Sequence, residues 1–409
     1  MPNNIHNGPN PLLQSHSTVR SLSCNHNGVH QSKMVADSAA AAPALDGTAV
    51  PVPQEPSEAF SDSEQPGRFH TWKILSAEAD RPTHHHAWLN SCLDHFAGTC
   101  RRTFLTVGGE KPTAVAPLIM RGDASHRLEI PGVNELYEPA EFPHANQQSL
   151  NALTESIARS ALPLVLKRVH ADSPLIGALR SAYRHRGFMV VRPVAGYPWI
   201  SLDDGWRDPE SMLSPARRSS LRRARRNAAQ IGEIEIEINQ VNDASLARAL
   251  EEAFQIEASG WKGRSGTALA SDECRRAFYE QYAIEAHRAG ILRLCFLRIA
   301  GRAVAMQIAV ECGGRFWLLK MGYDESYSKC SPGNLLMIET IRHAASRGLK
   351  SYEFLGIADA WTAMWTDQVR PCVSVLTYPR SLRGAWALAT DVTSYGRRRI
   401  FALLRNFLA

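Results

Sequence analysis

At 409 residues, with 44% hydrophobic and 21% charged residues, the composition excludes a fibre, a repeat array or a wholly disordered scaffold, and the length favours two cores. The net charge of +6 suits an anionic ligand such as a nucleotide cofactor, a phosphorylated sugar or RNA without choosing among them. Eight cysteines form no CxxC pair and no His/Cys cluster at ligand spacing, so no metal site is expected.

Residues 1–66 are rich in Asn, Ser, Ala, Pro and His and poor in aromatics, which predicts a disordered tail. The opening residues lack the basic start and apolar core of a secretory signal, and no apolar run approaches a membrane-spanning length. A cytoplasmic protein is therefore expected.

Residues 67–204 read as a first α/β unit. Its strands fall at TWKIL, RTFLTV, TAVAPLIM, LVLKRV, FMVVRP and YPWISL; its helices run through AWLNSCLDHF, SLNALTESIARSA and PLIGALRSAYRHRG. GGEKP makes RTFLTV and TAVAPLIM a hairpin. The triplet His84–His86 reads as a solvated helix start, because adjacent helical side chains diverge and cannot share a metal.

A second unit, residues 205–379, opens with a helix whose apolar stripe is Leu221, Ala224, Ala228 and Ile231, arginines covering the rest. The alternating strand EIEIEI follows, then helices through SLARALEEAFQIEAS and ECRRAFYEQYAIEAHRAG. LRLCFLRI, AVAMQIAVEC and RFWLLKM form an antiparallel meander. A polar loop, a helix from Pro332-Gly333 and a strand ending at Leu355 then require a parallel crossover, so the sheet is mixed. Residues 380–409 read as an amphipathic basic helix able to touch a membrane surface or dock on the protein.

Phosphate in such a sheet is most naturally held at the start of the crossover helix, where backbone N–H groups and the helix dipole favour negative charge. Lys329, Ser331, Gly333 and Asn334 occupy that position, with glycine permitting close backbone approach. Ser-Pro-Gly is also simply a helix start.

The stretch LLKMGYDESYSKCSPGNLLMIETIRHAASRGLKSYEFLG, preceded by EASGWKGRSGTAL and followed by DAWTAMW, resembles the GNAT-type domain of CelD/BcsL-like proteins, relatives of the Fem-type aminoacyl transferases. The likeness is strongest over residues 205–370. It implies an α/β fold of two tandem GNAT-like units, the first degenerate, each a mostly antiparallel mixed sheet flanked by helices. It also implies transfer of an acyl group, such as acetyl, from acyl-CoA to an amine or hydroxyl of a small or sugar-linked acceptor, in exopolysaccharide or cell-envelope synthesis.

That chemistry must take a proton from the acceptor and stabilise an oxyanion. Within the resemblance, Glu257 is the general-base candidate, Lys320 faces the oxyanion or a phosphate, and Tyr323 donates a proton to the leaving group. Trp261, Lys262, Tyr327, Asp359 and Trp361 line the acceptor groove. Lys320 equally reads as a lysine snorkelling from a strand end, Tyr323 and Tyr327 as loop packing, and Glu257 as a solvated helix residue. The chain departs from the family twice. Thr362 follows Trp361 in place of the lysine of the usual aromatic-lysine pair, and Lys329-Cys330-Ser331-Pro332-Gly333-Asn334 replaces the usual glycine-rich pyrophosphate loop.

Two alternatives stay open. In an aminoacyl-tRNA-dependent transferase, Arg217, Arg218, Arg222, Arg223, Arg225 and Arg226 would track an RNA backbone rather than form a solvated helix face. A non-catalytic binding protein of polysaccharide synthesis would have kept the fold and lost the chemistry.

Overall fold

A computed structural model describes residue 75 and residues 79–109, 111–122, 126–238, 241–260, 269 and 272–407, with side chains through 395. Its strands are β1 (Arg101–Val107), β2 (Ala114–Met120), β3 (Leu128–Glu129), β4 (Leu164–His170), β5 (Gly187–Ser201), β6 (Ile234–Ile238), β7 (Leu292–Ile299), β8 (Arg302–Cys312), β9 (Arg315–Tyr323), β10 (Ser351–Glu353) and β11 (Val369–Pro379). The main helices are α1 (His86–Phe96), α2 (Gln147–Arg159), α3 (Pro174–Tyr183), α4 (Pro215–Ile231), α5 (Asp243–Ala258), α6 (Glu273–Arg288), α7 (Pro332–Ser346) and α8 (Leu382–Phe407). The tail expected over residues 1–66 lies outside the described residues.

Local chemistry starts the helices where the sequence implies. Ser214 caps α4 with Pro215 in its first turn, Asn242 and Ser245 form a reciprocal capping box on α5, and Asp272 caps α6. The strands join in one mixed sheet of order β1-β2-β3-β4-β11-β5-β10-β9-β8-β7-β6. Only β3 with β4 and β9 with β10 run parallel, each across a helical crossover.

Both halves of the chain therefore share one sheet, and β5 is the strand that joins them. Its first part pairs with β11 and its last three residues with β10. FMVVRP and YPWISL are thus one 15-residue strand rather than two. The gap between the two segments is a bulge: β5 carries one extra residue between Val194 and Tyr197. There Gly196 comes so close to the Arg370 carbonyl that a Cβ would lie 2.2 Å from it. β11, the end of the segment read as the second unit, inserts between β4 and β5 of the first half.

Three smaller expectations change. TWKIL lies outside the described residues except Leu75, which is helical. Ile231 is 52% exposed, because α4 ends at Gly232 before that position can turn inward. His84 and His85 are buried rather than solvated: His85 accepts the Ala87 N–H to start α1, and burial holds the His84 imidazole down to about 3. Among the described residues no group of His, Cys, Asp and Glu could hold a metal ion.

The sheet separates two apolar layers. Leu292, Leu294 and Phe296 of β7 point to α1, α5 and α6; Cys295, Leu297 and Ile299 point to α4 and α7. The first layer continues across the first half, where α2 and α3 cover it. In α4, Leu221, Ala224 and Ala228 are buried, as the stripe predicts. No helix of the described residues is long and apolar enough to cross a membrane.

Candidate active site

β9 and β10 pair only from Arg315–Trp317 to Ser351–Glu353. Beyond that, β9 continues to Tyr323, whereas the chain after β10 passes through Phe354, Leu355 and Gly356 and bonds to β5 instead, Phe354 N–H donating to Pro198. The two strands thus open into a V, with the start of α7 beside it.

A bulge in β9 decides which side chains face which side of this V. Ile308 of β8 pairs with Lys320 and Ala309 with Leu318, so Leu319 is extra. Simple alternation would put Lys320 with Phe316 and Leu318, facing α7. The extra residue turns Lys320 and Gly322 to the opposite face and brings Met321 and Tyr323 round to face α7.

On the α7 face, Ser331 adopts a left-handed φ of 43° that swings the chain into Pro332, and its side chain makes no capping bond. Its carbonyl accepts the Asn334 and Leu335 N–H groups. Gly333 is buried, and a Cβ on it would lie 3.5 Å from the Tyr323 ring and from the end of Met321. A groove of about 230 Å³ opens here between Ala216, Arg217, Ser220, Leu221, Ala224, Ser331, Asn334 and Met364. Arg217 donates to the Met364 and Ala363 carbonyls and so ties α4 to that wall. Arg222, Arg223 and Arg226 are exposed along α4.

The sequence-predicted residues Tyr323, Ser331, Gly333 and Asn334 therefore meet. Lys329 is exposed, with its carbonyl held 2.9 Å from the Asn227 amide. Tyr327 packs into the same layer beneath the Arg302 guanidinium, which pairs with Asp324 at 2.9 Å.

On the opposite face, Lys320 lies 5.2 Å from the centre of the Tyr279 ring of α6. Glu257 comes in from α5: it is 1% exposed, its Oε2 accepts the Leu269 N–H at 2.8 Å, and its backbone closes on β9 so tightly that a Cβ on Gly322 would meet its Cα at 2.7 Å. Glu257 is thus a buried residue beside β9, not a solvated one.

Three residues of this face escaped sequence reasoning. Arg168 is fully buried and donates to the Tyr137 and Gly356 carbonyls. Glu138, 8% exposed, lies 3.8 Å from Arg168 and accepts the Gly356 N–H. Burial pushes its carboxyl up to about 7, against the pull of Arg168 and Lys320. Burial likewise raises the Tyr279 phenol, helped by the negative charge of Glu138. Alternation gave no signal for Arg168, because β4 carries one extra residue between Leu166 and Val169 and Arg168 sits there at a left-handed φ of 53°.

The remaining acceptor residues divide. Trp261 and Lys262 lie outside the described residues. Trp361 is 39% exposed and stands edge-on to Phe354, at the β10 arm of the V. Asp359 shapes the turn, accepting the Trp361 N–H at 2.9 Å. Thr362, in the position of the family's lysine, is buried and exchanges hydrogen bonds with the Asp359 backbone.

Residues 215–362 match the family model described as an acetyltransferase (GNAT) domain. That segment is therefore a GNAT-type acetyltransferase domain by its match. The matched segment runs from α4 through α7 to the Asp359 turn and so contains both arms of the V. No curated protein matches the chain significantly in sequence. Among solved structures, the fold is similar to the C-terminal domain of a presumptive lysylphosphatidylglycerol synthetase from Agrobacterium fabrum, at 11% identity and TM-score 0.52, covering 80% of this chain and 95% of that one. It is also similar to a conserved protein of unknown function from Bacteroides thetaiotaomicron, at 12% identity and TM-score 0.51, covering 78% and 99%. Both likenesses extend well beyond residues 215–362, so the two-half architecture recurs as a whole.

Proposed function

We propose that this GNAT protein transfers an acyl group from acyl-coenzyme A to an amine or hydroxyl of a small or sugar-linked acceptor. The observation that carries the reading is the V between β9 and β10 opening beside an α7 start with no side-chain cap. The pyrophosphate lies against the backbone at Ser331, Gly333 and Asn334, with Lys329 and the α4 arginines supplying positive potential. The acyl arm enters the V past Tyr323 and reaches the face of Lys320 and Glu257.

Lys320 and Tyr323 lie on opposite faces, so each acts at a different point along the carrier. Lys320 stabilises charge developing on the thioester oxygen, together with backbone N–H groups along the open edge of β9. Tyr323 lines the arm and donates to the leaving thiolate. Trp361, Tyr327 and Asp359 border the acceptor's approach, and envelope or exopolysaccharide building blocks suit such an open mouth. Calorimetric titration of acetyl-coenzyme A into the purified protein tests the reading. Micromolar binding to the parent, weakened in Gly333→Val, is expected; no binding to the parent sinks it.

The exposed Arg222, Arg223 and Arg226 beside the groove favour a second reading, in which the carrier is aminoacyl-tRNA. Binding of tRNA that falls steeply with salt, and faster in charge-removed α4 variants, would select it over coenzyme A.

A further inference from the structure

Glu138 stands at the mouth of the V but belongs to the other half of the chain. It contacts the β10 arm through the Gly356 N–H and faces the β9 arm at Lys320. Arg168 grips the Gly356 carbonyl at 2.6 Å and fixes that arm in place. Glu138 Oε2 has no hydrogen-bond partner among the described residues, although the side chain is 90% shielded. A shielded carboxylate oxygen with unused acceptor capacity is costly unless something is meant to meet it. Glu257 is less well placed, since it sits behind Gly322 with Oε2 committed to Leu269.

We propose that Glu138 takes the proton from an amine acceptor in the transfer step, so that the two halves complete one active site. This rests on the acyl-transfer reading above. The acceptor ammonium gives one proton to the Glu138 carboxylate. The nitrogen lone pair then forms the C–N bond to the thioester carbonyl carbon, and charge gathers on its oxygen. Collapse breaks the C–S bond, the thiolate takes a proton from Tyr323, the second proton on nitrogen restores the Tyr323 phenol, and Glu138 returns its proton to solvent. Arg168 from β4, Lys320 from β9 and Tyr279 from α6 are the charged and titratable groups around Glu138, and none of them is a better proton acceptor at neutral pH. The ammonium class follows from matching: an alkylammonium titrates about three units above a carboxyl near 7, an alcohol far higher.

The test uses the full chain, its Glu138→Gln and Glu138→Asp variants, acetyl-coenzyme A and glucosamine. In the parent, kcat/KM should rise with pH through an inflection near 7. Glu138→Gln should lose about 100-fold or more of kcat/KM together with that inflection, keep acetyl-coenzyme A affinity within about twofold, and be partly rescued by Glu138→Asp. A Glu138→Gln variant with the parent's rate and pH profile overturns the proposal. Protein labelled with 13C at glutamate carboxyls separates this failure from failure of the carrier reading. The resonance missing in Glu138→Gln should titrate near 7 and move on adding glucosamine even if acetyl-coenzyme A never binds. A resonance that titrates in the ordinary glutamate range, or that ignores the amine, removes Glu138 from the chemistry.

Discussion

The two halves each contain a parallel strand–helix–strand crossover, and only one of them is built open. In the first, β3 is two residues long, and Asn146 caps α2 by accepting the Ser149 N–H at 2.9 Å, while Ser149 in turn bonds Thr113 of the hairpin. In the second, β9 outruns β10 by six residues, and α7 starts from a left-handed Ser331 with no side-chain cap and a buried glycine two residues on. The same topology closes on itself where a side chain caps the helix start, and borders a groove where none does. The first half contributes to chemistry through its far edge, where Glu138 and Arg168 reach across to β9 and the chain after β10.

The comparison breaks most visibly if the halves can be uncoupled. Arg370 of β11 holds fully buried Glu353 of β10 through bonds of 2.8 and 2.6 Å. Arg370→Ala should cost about 3–5 kcal/mol by stranding that carboxylate, read as a lower urea midpoint in one cooperative transition. Separate melting of the halves would show that the shared sheet does not weld them.

Within the open crossover, Lys320→Ala should lower turnover by about 100-fold while acyl-coenzyme A affinity stays near the parent's, if the lysine acts on transition-state charge. A pure KM effect would assign it to binding. Gly333→Val should weaken carrier binding about tenfold by crowding the path between α7 and Tyr323. Its counterpart in the closed crossover, Asn146→Ala, should cost about 1 kcal/mol of stability and leave carrier binding unchanged. If Asn146→Ala altered carrier affinity, or Gly333→Val did not, the contrast between the crossovers would fail.

Acid sharpens the contrast least but in a defined direction. Burial holds His84 at about 3 and His170 at about 4, below the unfolded 6.5. The folded state binds fewer protons, so their contribution is complete above pH 6.5 and is lost as pH falls toward 3–4. In the second half, Glu311 is held at about 2: burial opposes ionisation, but bonds from His343 and Arg293 outweigh it. Its contribution is complete above the unfolded 4.5 and is lost only as pH falls toward 2. Glu138, raised to about 7, acts in the opposite sense between pH 7 and 4.5, but two histidines outweigh one carboxyl. The single urea midpoint should therefore drop between pH 7 and 5 through the first half's groups, and His170→Gln should flatten that slope.

Local chemistry was legible in the sequence because it acts over a few residues. Period-2 and 3.6 patterns and glycine turns placed the main helices, the parallel crossover, the meeting of Ser331, Gly333 and Asn334 at a helix start, and every strand except β3 and β11. What the sequence could not order was anything set by distant partners. FMVVRP and YPWISL read as two strands, yet β11 pairs with both sides of a bulge and makes one strand of β5. A single extra residue in β9 exchanged the faces of Lys320 and Tyr323, putting the lysine on the α6 side and the tyrosine on the α7 side, and one-residue register changes leave no mark on hydrophobic pattern. Glu138 and Lys320 are separated by 182 positions in the chain and meet only because both halves close on one sheet, whose burial, not any motif, sets the proton affinity of that carboxyl.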